Sequence, residues 1–171
     1  IFDPVGTNAG IKRRLASKGW ATNAPMPAAF AFLGKDVDFV RGSVLAEAQF
    51  SNYPFLLNNV MRSELLYKSG APIGGNSVKS VVIITKAGMW PASNSTLYYE
   101  QAENQLNELA RNSVVEVPIR LVGLFGSVGD LAAVHTSYHA ARYSRTVVQE
   151  RPCTVNVITV RSKARLTWPT R

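Results

Sequence analysis

The chain has 171 residues, 46% of them hydrophobic and 18% charged; at roughly 100 to 200 residues per domain, that is one globular domain with a real core and not a disordered tail. It carries 19 Lys plus Arg against 11 Asp plus Glu, a net charge of +8, which weighs against an acidic solvating role and points to a polyanion as partner. A single cysteine, Cys153, excludes an internal disulfide and fits a reducing compartment, and no apolar run approaches the roughly 20 residues of a membrane span.

The chain as given begins at Ile1 with neither Met nor a charged leader, so no signal peptide is expected and it reads as a fragment. Thr7 can cap a helix through about Lys18, with Ile11 and Leu15 inward. Pro25, Met26 and Pro27 force an extended approach. Asp36 to Phe39 and Val44 to Phe50 read as two strands joined by a turn at Arg41, Gly42 and Ser43. Alternation in the second strand puts Val44, Ala46, Ala48 and Phe50 on one face and Leu45, Glu47 and Gln49 on the other. One face is then expected in the core, with Glu47 and Gln49 presented on the other.

A helix follows from about Pro54 to Lys68, capped by Ser51 or Asn52, with Phe55, Leu57, Val60, Met61 and Leu65 as its apolar residues. Ser69 to Gly75 is a loop. Ser80 to Lys86 reads as a buried strand. Asn94 or Ser95 caps a second long helix to about Arg111, with Tyr98, Ala102, Leu106 and Leu109 as its stripe. Ile119 to Phe125 reads as another buried strand, and Val155 to Val160 as a later one. Helices alternating with buried strands predict an α/β domain, a mixed central β-sheet flanked by helices.

The charge is unevenly placed. From Arg142 onward there are seven basic residues against one acid, Glu150, so this stretch holds +6 of the +8. A second cluster is Lys12, Arg13, Arg14 and Lys18. Both fit a solvated face as well as a backbone grip on nucleic acid. Among the few acids, Asp36, Asp38 and Glu47 fall on adjacent strands across a tight turn. Asp36 and Asp38 share a face, and Glu47 sits opposite if the strands pair. That is either a charged hairpin in solvent or an oxygen-rich site for Mg²⁺, which favours carboxylate, carbonyl and water ligands and can acidify a water for attack on phosphorus. The basic balance favours metal-dependent work on a polyanion. His135 and His139 lack a third ligand for zinc, Cys153 lacks a base partner, and Tyr98 and Tyr99 fit helix packing.

The segment from Asp38 through Glu47 to Gln49 resembles the PD-(D/E)xK nuclease core in a variant with glutamine in place of the last lysine. More closely, IFDPVGT (1–7), EAQFSNYPFLLNN (47–59), PASNSTLYYEQAENQ (91–105), VPIRLVG (117–123) and YSRT (143–146) resemble the BglII-like type II restriction endonucleases, nearly ungapped to Gly123 and again around Tyr138 to Thr146. Blocks this long and polar are highly specific. The resemblance implies a restriction-endonuclease-like core with additional β elements, as one endonuclease domain over residues 1–171 that lacks a helical segment before Ile1.

Carried over position by position, the resemblance implies Asp38 as a metal-binding acid and the carbonyl of Ala48 as a second metal ligand. Glu47 and Gln49 flank the scissile phosphate and position the attacking water, and the amide of Asn23 approaches the same site. Gln49 is neutral and cannot be a general base. Asp36 has a match whose role is open between the site and a structural hydrogen bond. Ser51, Asn52, Asn94, Ser95, Tyr143, Ser144 and Arg145 fall in the DNA-contacting loops, where amide, hydroxyl and guanidinium groups can read base edges. Helix capping alone also accounts for Asn52, Asn94 and Ser95, and the two roles are compatible.

What this implies for function is a Mg²⁺-dependent endonuclease, with Mn²⁺ as a substitute. It acts on double-stranded DNA as a homodimer at a palindromic, GATC-centred site such as AGATCT, leaving 5′ overhangs. The setting is the bacterial cytoplasm, alongside a protective DNA methyltransferase that is not a stable partner. The alternatives are a catalytically inactive, sequence-specific DNA-binding protein of the same fold and, more remotely, sequence-blind nucleic-acid binding through the Arg-rich tail.

Overall fold

Prolines and glycines set the first boundaries. In the computed structural model, which describes residues 4–87, 97–125, 134–140, 147–160 and 163–167, helix α1 spans Pro4–Ala16. It starts ahead of the expected Thr7 because Pro4 suits a first turn, whose N–H has no helical partner anyway. Strand β1, Ala21–Pro25, forms where the sequence suggested only extended chain. It lies at the sheet edge, the position that tolerates Pro25. Strands β2, Asp36–Arg41, and β3, Val44–Ala48, meet in a tight turn whose Gly42 has φ +55°, open to glycine without steric cost.

Helix α2, Pro54–Ser69, has Pro54 in its first turn as expected, but neither Ser51 nor Asn52 caps it by a side-chain bond. Two short strands, β4 at Pro72–Ile73 and β5 at Asn76–Ser77, form a hairpin within the expected loop region. Strand β6 is Ser80–Lys86. Helix α3 covers Tyr99–Arg111 and starts later than an Asn94 or Ser95 cap requires. Gln101 Oε1 accepts from the Tyr98 N–H at 3.4 Å at its start. Strand β7 is Ile119–Leu124, half-buried or exposed throughout and not the buried strand expected, because it lies at an edge of the sheet. Two antiparallel hairpins follow, β8 Val134–Tyr138 with β9 Val147–Pro152 and β10 Asn156–Val160 with β11 Lys163–Thr167. His135 lies on β8, and four residues of extended chain span about 13 Å, so His135 and His139 do not form a helical metal pair.

The central sheet runs β1-β2-β3-β6-β7, antiparallel through β3 and parallel from β3 to β7. It is the mixed sheet flanked by helices that the sequence predicted. The Leu45↔Val81 and Glu47↔Ile83 register places one face against α2 and α3, through Leu56, Val60, Leu66, Ala102 and Leu106. The Ala48↔Ile84 register places the other face, with Phe50, against Ile11 of α1. Both faces of β3 are therefore buried, Leu45, Glu47 and Gln49 as well as Ala46 and Phe50. This corrects the expectation of one core face and one presenting face: a strand central in a covered sheet has no outward side.

The inward face of α2 also differs from expectation. Leu56, Val60, Arg62, Ser63, Glu64 and Leu66 are buried, whereas Phe55, Leu57, Met61 and Leu65 are exposed. Polar residues occupy the inward face because each has a specific partner. Glu64 Oε2 accepts from the N–H groups of Glu116 at 2.9 Å and Val117 at 2.8 Å, fastening α2 to the segment entering β7. Burial opposes ionisation of Glu64, but these two N–H groups, together with Lys68, hold its pKa below the ordinary carboxylate value.

A depressed folded-state pKa gives stability that is present above the unfolded pKa and lost as pH falls through the folded one. Glu64→Ala is expected to cost about 2 to 3 kcal/mol at neutral pH by stranding two backbone donors. In urea unfolding, the gap between variant and wild type should narrow as pH is lowered through the acidic range. A gap independent of pH contradicts the ionised clamp.

Candidate active site

The two acids nominated by spacing are interlocked. The β2–β3 register runs from Arg41↔Val44 to Phe39↔Ala46; beyond it, a side chain takes over a backbone partner's role. Asp38 Oδ2 accepts from the Ala48 N–H at 2.9 Å, and Glu47 Oε2 accepts from the Asp38 N–H at 3.5 Å. The cross-strand alternation that set Asp38 opposite Glu47 thus ends with each carboxylate reaching the other strand's backbone.

Two carboxylates this close repel, and α2 supplies the counter-charge. Arg62 donates to Glu47 Oε1 and to the carbonyl of Asp36 at 3.1 Å. Asp36 therefore joins the site through its backbone carbonyl. Gly34, at φ +135°, lies against the same guanidinium: a Cβ there would come within 3.2 Å of an Arg62 terminal nitrogen. Burial pushes the Glu47 carboxyl up to about 7; Arg62 works against that shift and Asp38 adds to it.

Gln49 is buried and its amide fully engaged. Asn59 Nδ2 donates to its oxygen at 3.0 Å, while its nitrogen donates to Ser51 Oγ at 3.1 Å and to the Asn52 carbonyl at 3.4 Å. Ser51 and Asn52 thus serve the site strand instead of capping α2. Asn59 and Arg62, one turn apart on α2, hold Gln49 and Glu47 respectively.

Asn23 lies between the pairs Thr22↔Phe39 and Ala24↔Val37, across from Asp38, with φ +52°. Asparagine tolerates that region better than most residues. Asn23 accepts a hydrogen bond from Lys12 Nζ. Asn8, Ala9, Lys12, Asn23, Asp38 and Phe39 line a cleft of about 180 Å³ on this side of the sheet.

No group of three His, Cys, Asp or Glu side chains forms a metal cage among the described residues. The donor set is nonetheless what Mg²⁺ uses, since that ion takes one or two carboxylates and keeps several waters. Asp38 is half-buried at the cleft, and the carbonyl of Ala48 belongs to the backbone unit next to the N–H that Asp38 engages.

Residues 3–124 match a family described as restriction endonuclease BglII/BglIII. The chain belongs to the BglII/BglIII restriction endonuclease family. It is 56% identical over 150 residues to the type II restriction enzyme BglII of Bacillus subtilis, covering 87% of this chain and 67% of the relative. A crystal structure of restriction endonuclease BglII complexed with a DNA 16-mer superposes with a TM-score of 0.87 at 50% identity, covering 98% of this chain and 78% of that one. A crystal structure of free BglII gives 0.68 at 49% identity, covering 98% and 80%.

Of the positions carried over from the BglII-like pattern, Asn23, Asp38, Glu47, Ala48 and Gln49 come together around the end of β3, with Ser51 and Asn52 next to them. Asn94 and Ser95, and Tyr143, Ser144 and Arg145, lie outside the described residues. Arg62, Asn59 and Lys12 escaped the sequence reading as site residues. Arg62 and Asn59 carried one usable signal, polar residues three apart among apolar ones on a helix that follows the acid-bearing strand. Lys86 is a further case: it is buried at the end of β6 with its Nζ 4.8 Å from the Tyr98 ring centroid, and burial pushes its pKa down to about 8.

Arg62→Ala leaves Glu47 buried without its counter-charge and is expected to cost about 3 to 5 kcal/mol. The double variant Glu47→Gln, Arg62→Met removes both charges and should recover about half of that loss in urea unfolding. Equal destabilisation in the single and double variants contradicts an ion pair whose value lies in mutual compensation.

Proposed function

We propose that the protein is a Mg²⁺-dependent type II restriction endonuclease that hydrolyses both strands of DNA at a palindromic, GATC-centred site such as AGATCT, leaving 5′ overhangs. The observation that carries this reading is the interlock of Asp38 and Glu47 across β2 and β3, beside an open cleft, in a chain of the BglII/BglIII family. The net charge of +8 suits a DNA partner, and Mn²⁺ is expected to replace Mg²⁺ because both accept hard oxygen ligands.

Asp38 and the Ala48 carbonyl would hold the divalent ion, which supplies Lewis-acid polarisation of a phosphoryl oxygen and acidifies water. Glu47, fixed by Arg62, and Gln49, fixed by Asn59 and Ser51, set the geometry at the scissile phosphate and the attacking water. The water oxygen bonds to phosphorus as the bond to the 3′ oxygen breaks. That leaves a 5′ phosphate and a 3′ hydroxyl, the hydroxyl protonated from solvent. Gln49 takes no proton, so the water's proton leaves to solvent, a phosphate oxygen or Glu47, whose carboxyl burial pushes up to about 7. Asn23 adds an amide dipole on the Asp38 side of the cleft.

Base readout falls to Ser51, Asn52, Asn94, Ser95, Tyr143, Ser144 and Arg145, whose groups match the donors and acceptors of base edges. A palindrome calls for a two-fold dimer. The exposed apolar residues Leu57, Met61 and Leu65 repeat every fourth position along α2, the stripe a second copy would cover. The enzyme would act in the bacterial cytoplasm, where a DNA methyltransferase protects the host's own sites without binding it stably.

With Mg²⁺ and duplex DNA carrying AGATCT, wild type is expected to make double-strand cuts, and Asp38→Ala to slow cutting by about 1000-fold or more. Tight, sequence-specific binding without cutting in either Mg²⁺ or Mn²⁺ would instead identify an inactive DNA-binding protein of the same fold. For the dimer, Met61→Glu places a charge in the apolar stripe and should weaken self-association by about 100-fold, some 3 kcal/mol. Sedimentation velocity on wild type and variant decides it, and a monomeric wild type that still cuts both strands refutes the α2 interface.

A further inference from the structure

The cleft beside Asp38 contains a cationic side chain to which nothing above gives a role. Ile11 anchors α1 into the cluster of Phe50, Ile84, Ala48, Val82 and Leu124. With that residue inward, Asn8 and Lys12, one turn apart, line the cleft with Ala9 on one side, facing Asn23, Asp38 and Phe39. Lys12 Nζ donates to Asn23 Oδ1, and that asparagine sits at φ +52° on the strand next to Asp38. Two residues from different elements thus meet at the entrance to the acid site, one of them in a backbone conformation uncommon for a side chain-bearing residue.

Charge bookkeeping shows what the cleft lacks without Lys12. The Arg62 guanidinium is buried against Glu47 and the Asp36 carbonyl, so its charge is already matched. Gln49, just after β3, is neutral, and its amide is engaged by Asn59, Ser51 and Asn52. A phosphodiester entering beside Asp38 brings negative charge toward a carboxylate, and charge on its oxygens grows as the attacking oxygen bonds to phosphorus. A preorganised cation aimed at that charge stabilises the transition state more than the ground state. Lys12 is the cationic side chain lining the cleft. Its stem is exposed along α1, and its Nζ carries three donors, one of them committed to Asn23.

We propose that Lys12 is a catalytic residue, its ammonium held by Asn23 and contacting a non-bridging oxygen of the scissile phosphate in the Asp38 cleft. This rests on the endonuclease reading above. It gives Asn23 a second task, fixing the lysine, and it gives one member of the basic cluster on α1 a role in chemistry distinct from a general attraction to DNA.

The test uses the full chain as wild type, Lys12→Met, Lys12→Arg and Lys18→Ala, with a short duplex carrying AGATCT. Single-turnover cleavage at saturating enzyme with Mg²⁺ reads chemistry, and fluorescence anisotropy with Ca²⁺ in place of Mg²⁺ reads binding. Lys12→Met should slow cleavage by about 100-fold or more while weakening binding by less than about 5-fold, the split expected for an interaction made mainly in the transition state. Lys12→Arg, which keeps the charge with another shape, should recover about a tenth of the wild-type rate. Lys18→Ala removes the same charge from the turn after α1 and, at saturating enzyme, should cleave within about 3-fold of the wild-type rate.

Thermal unfolding of each variant checks folding, and the arginine variant carries the test should Lys12→Met unfold. Cleavage by Lys12→Met within about 3-fold of wild type at saturating enzyme overturns the proposal. A loss confined to binding and matched by Lys18→Ala does the same, since it makes Lys12 part of a diffuse grip. If wild type binds the duplex and does not cut it, the endonuclease reading falls first and Lys12 loses its catalytic role with it.

Discussion

A guanidinium buried behind β3 allows the acid pair to exist. Asp38 and Glu47 face each other across strands whose spacing brings opposite side chains within a few ångströms, and Glu47 is only 1% exposed. Left alone, that carboxylate would stay protonated or push the strands apart. Arg62 opposes both by bonding Glu47 on β3 and the Asp36 carbonyl on β2 at once, while burial still pushes the carboxyl up to about 7. A planar fork of donors suits this double task in a way a lysine's point charge would not. The geometry around it follows: Gly34 leaves the fork room, and Asp38 stays half-buried at the cleft.

From that constraint the site divides into two halves. Behind the sheet, α2 holds Glu47 through Arg62 and Gln49 through Asn59, so the two side chains flanking the end of β3 are fixed before substrate arrives. From α1 and the edge strand β1 come Lys12 and Asn23, which line the cleft with Asp38. Preorganisation of this kind places the cost of ordering polar groups in the folding of the protein and not in the chemical step. The same buried polar groups are tolerable only because their partners are present: Glu64 on α2 is satisfied by two backbone donors of the segment entering β7.

What the sequence made legible follows from period and chemistry. Two-residue alternation put Asp36 with Asp38 and set Glu47 opposite, because register in a tight hairpin is fixed by its turn. The apolar run at Val81 to Ile84 announced the buried strand β6. The inward face of α2 was not legible: Phe55, Leu57, Met61 and Leu65 compete with Leu56, Val60 and Leu66 for the same role, and hydrophobicity alone does not tell a core from an uncovered surface. The polar residues that break the inner stripe, Asn59, Arg62 and Glu64, look like solvent positions until their partners on β3 and before β7 are seen. Strand β1 was hidden for a different reason, since Asn23 and Pro25 both argue against a strand and are tolerated only at a sheet edge and a local irregularity.

The two faces of α2 then explain one another. A helix whose inner side is spent on polar tethers buries fewer apolar residues against its own sheet than its composition allows, and the surplus, Phe55, Leu57, Met61 and Leu65, is left on the outer side. Leu57 and Met61 bracket Asn59 in sequence, and Met61 is adjacent to Arg62, so the outer stripe and the inner tethers share one rigid backbone. In the proposed dimer, the surface that joins the two copies would be the reverse side of the element that orients Glu47 and Gln49. Tilting or fraying α2 would move those tethers by the same displacement. Covering its outer face with a second copy would therefore steady the tethers of Glu47 and Gln49 in both copies together, as the proposed cutting of both strands of a palindrome requires.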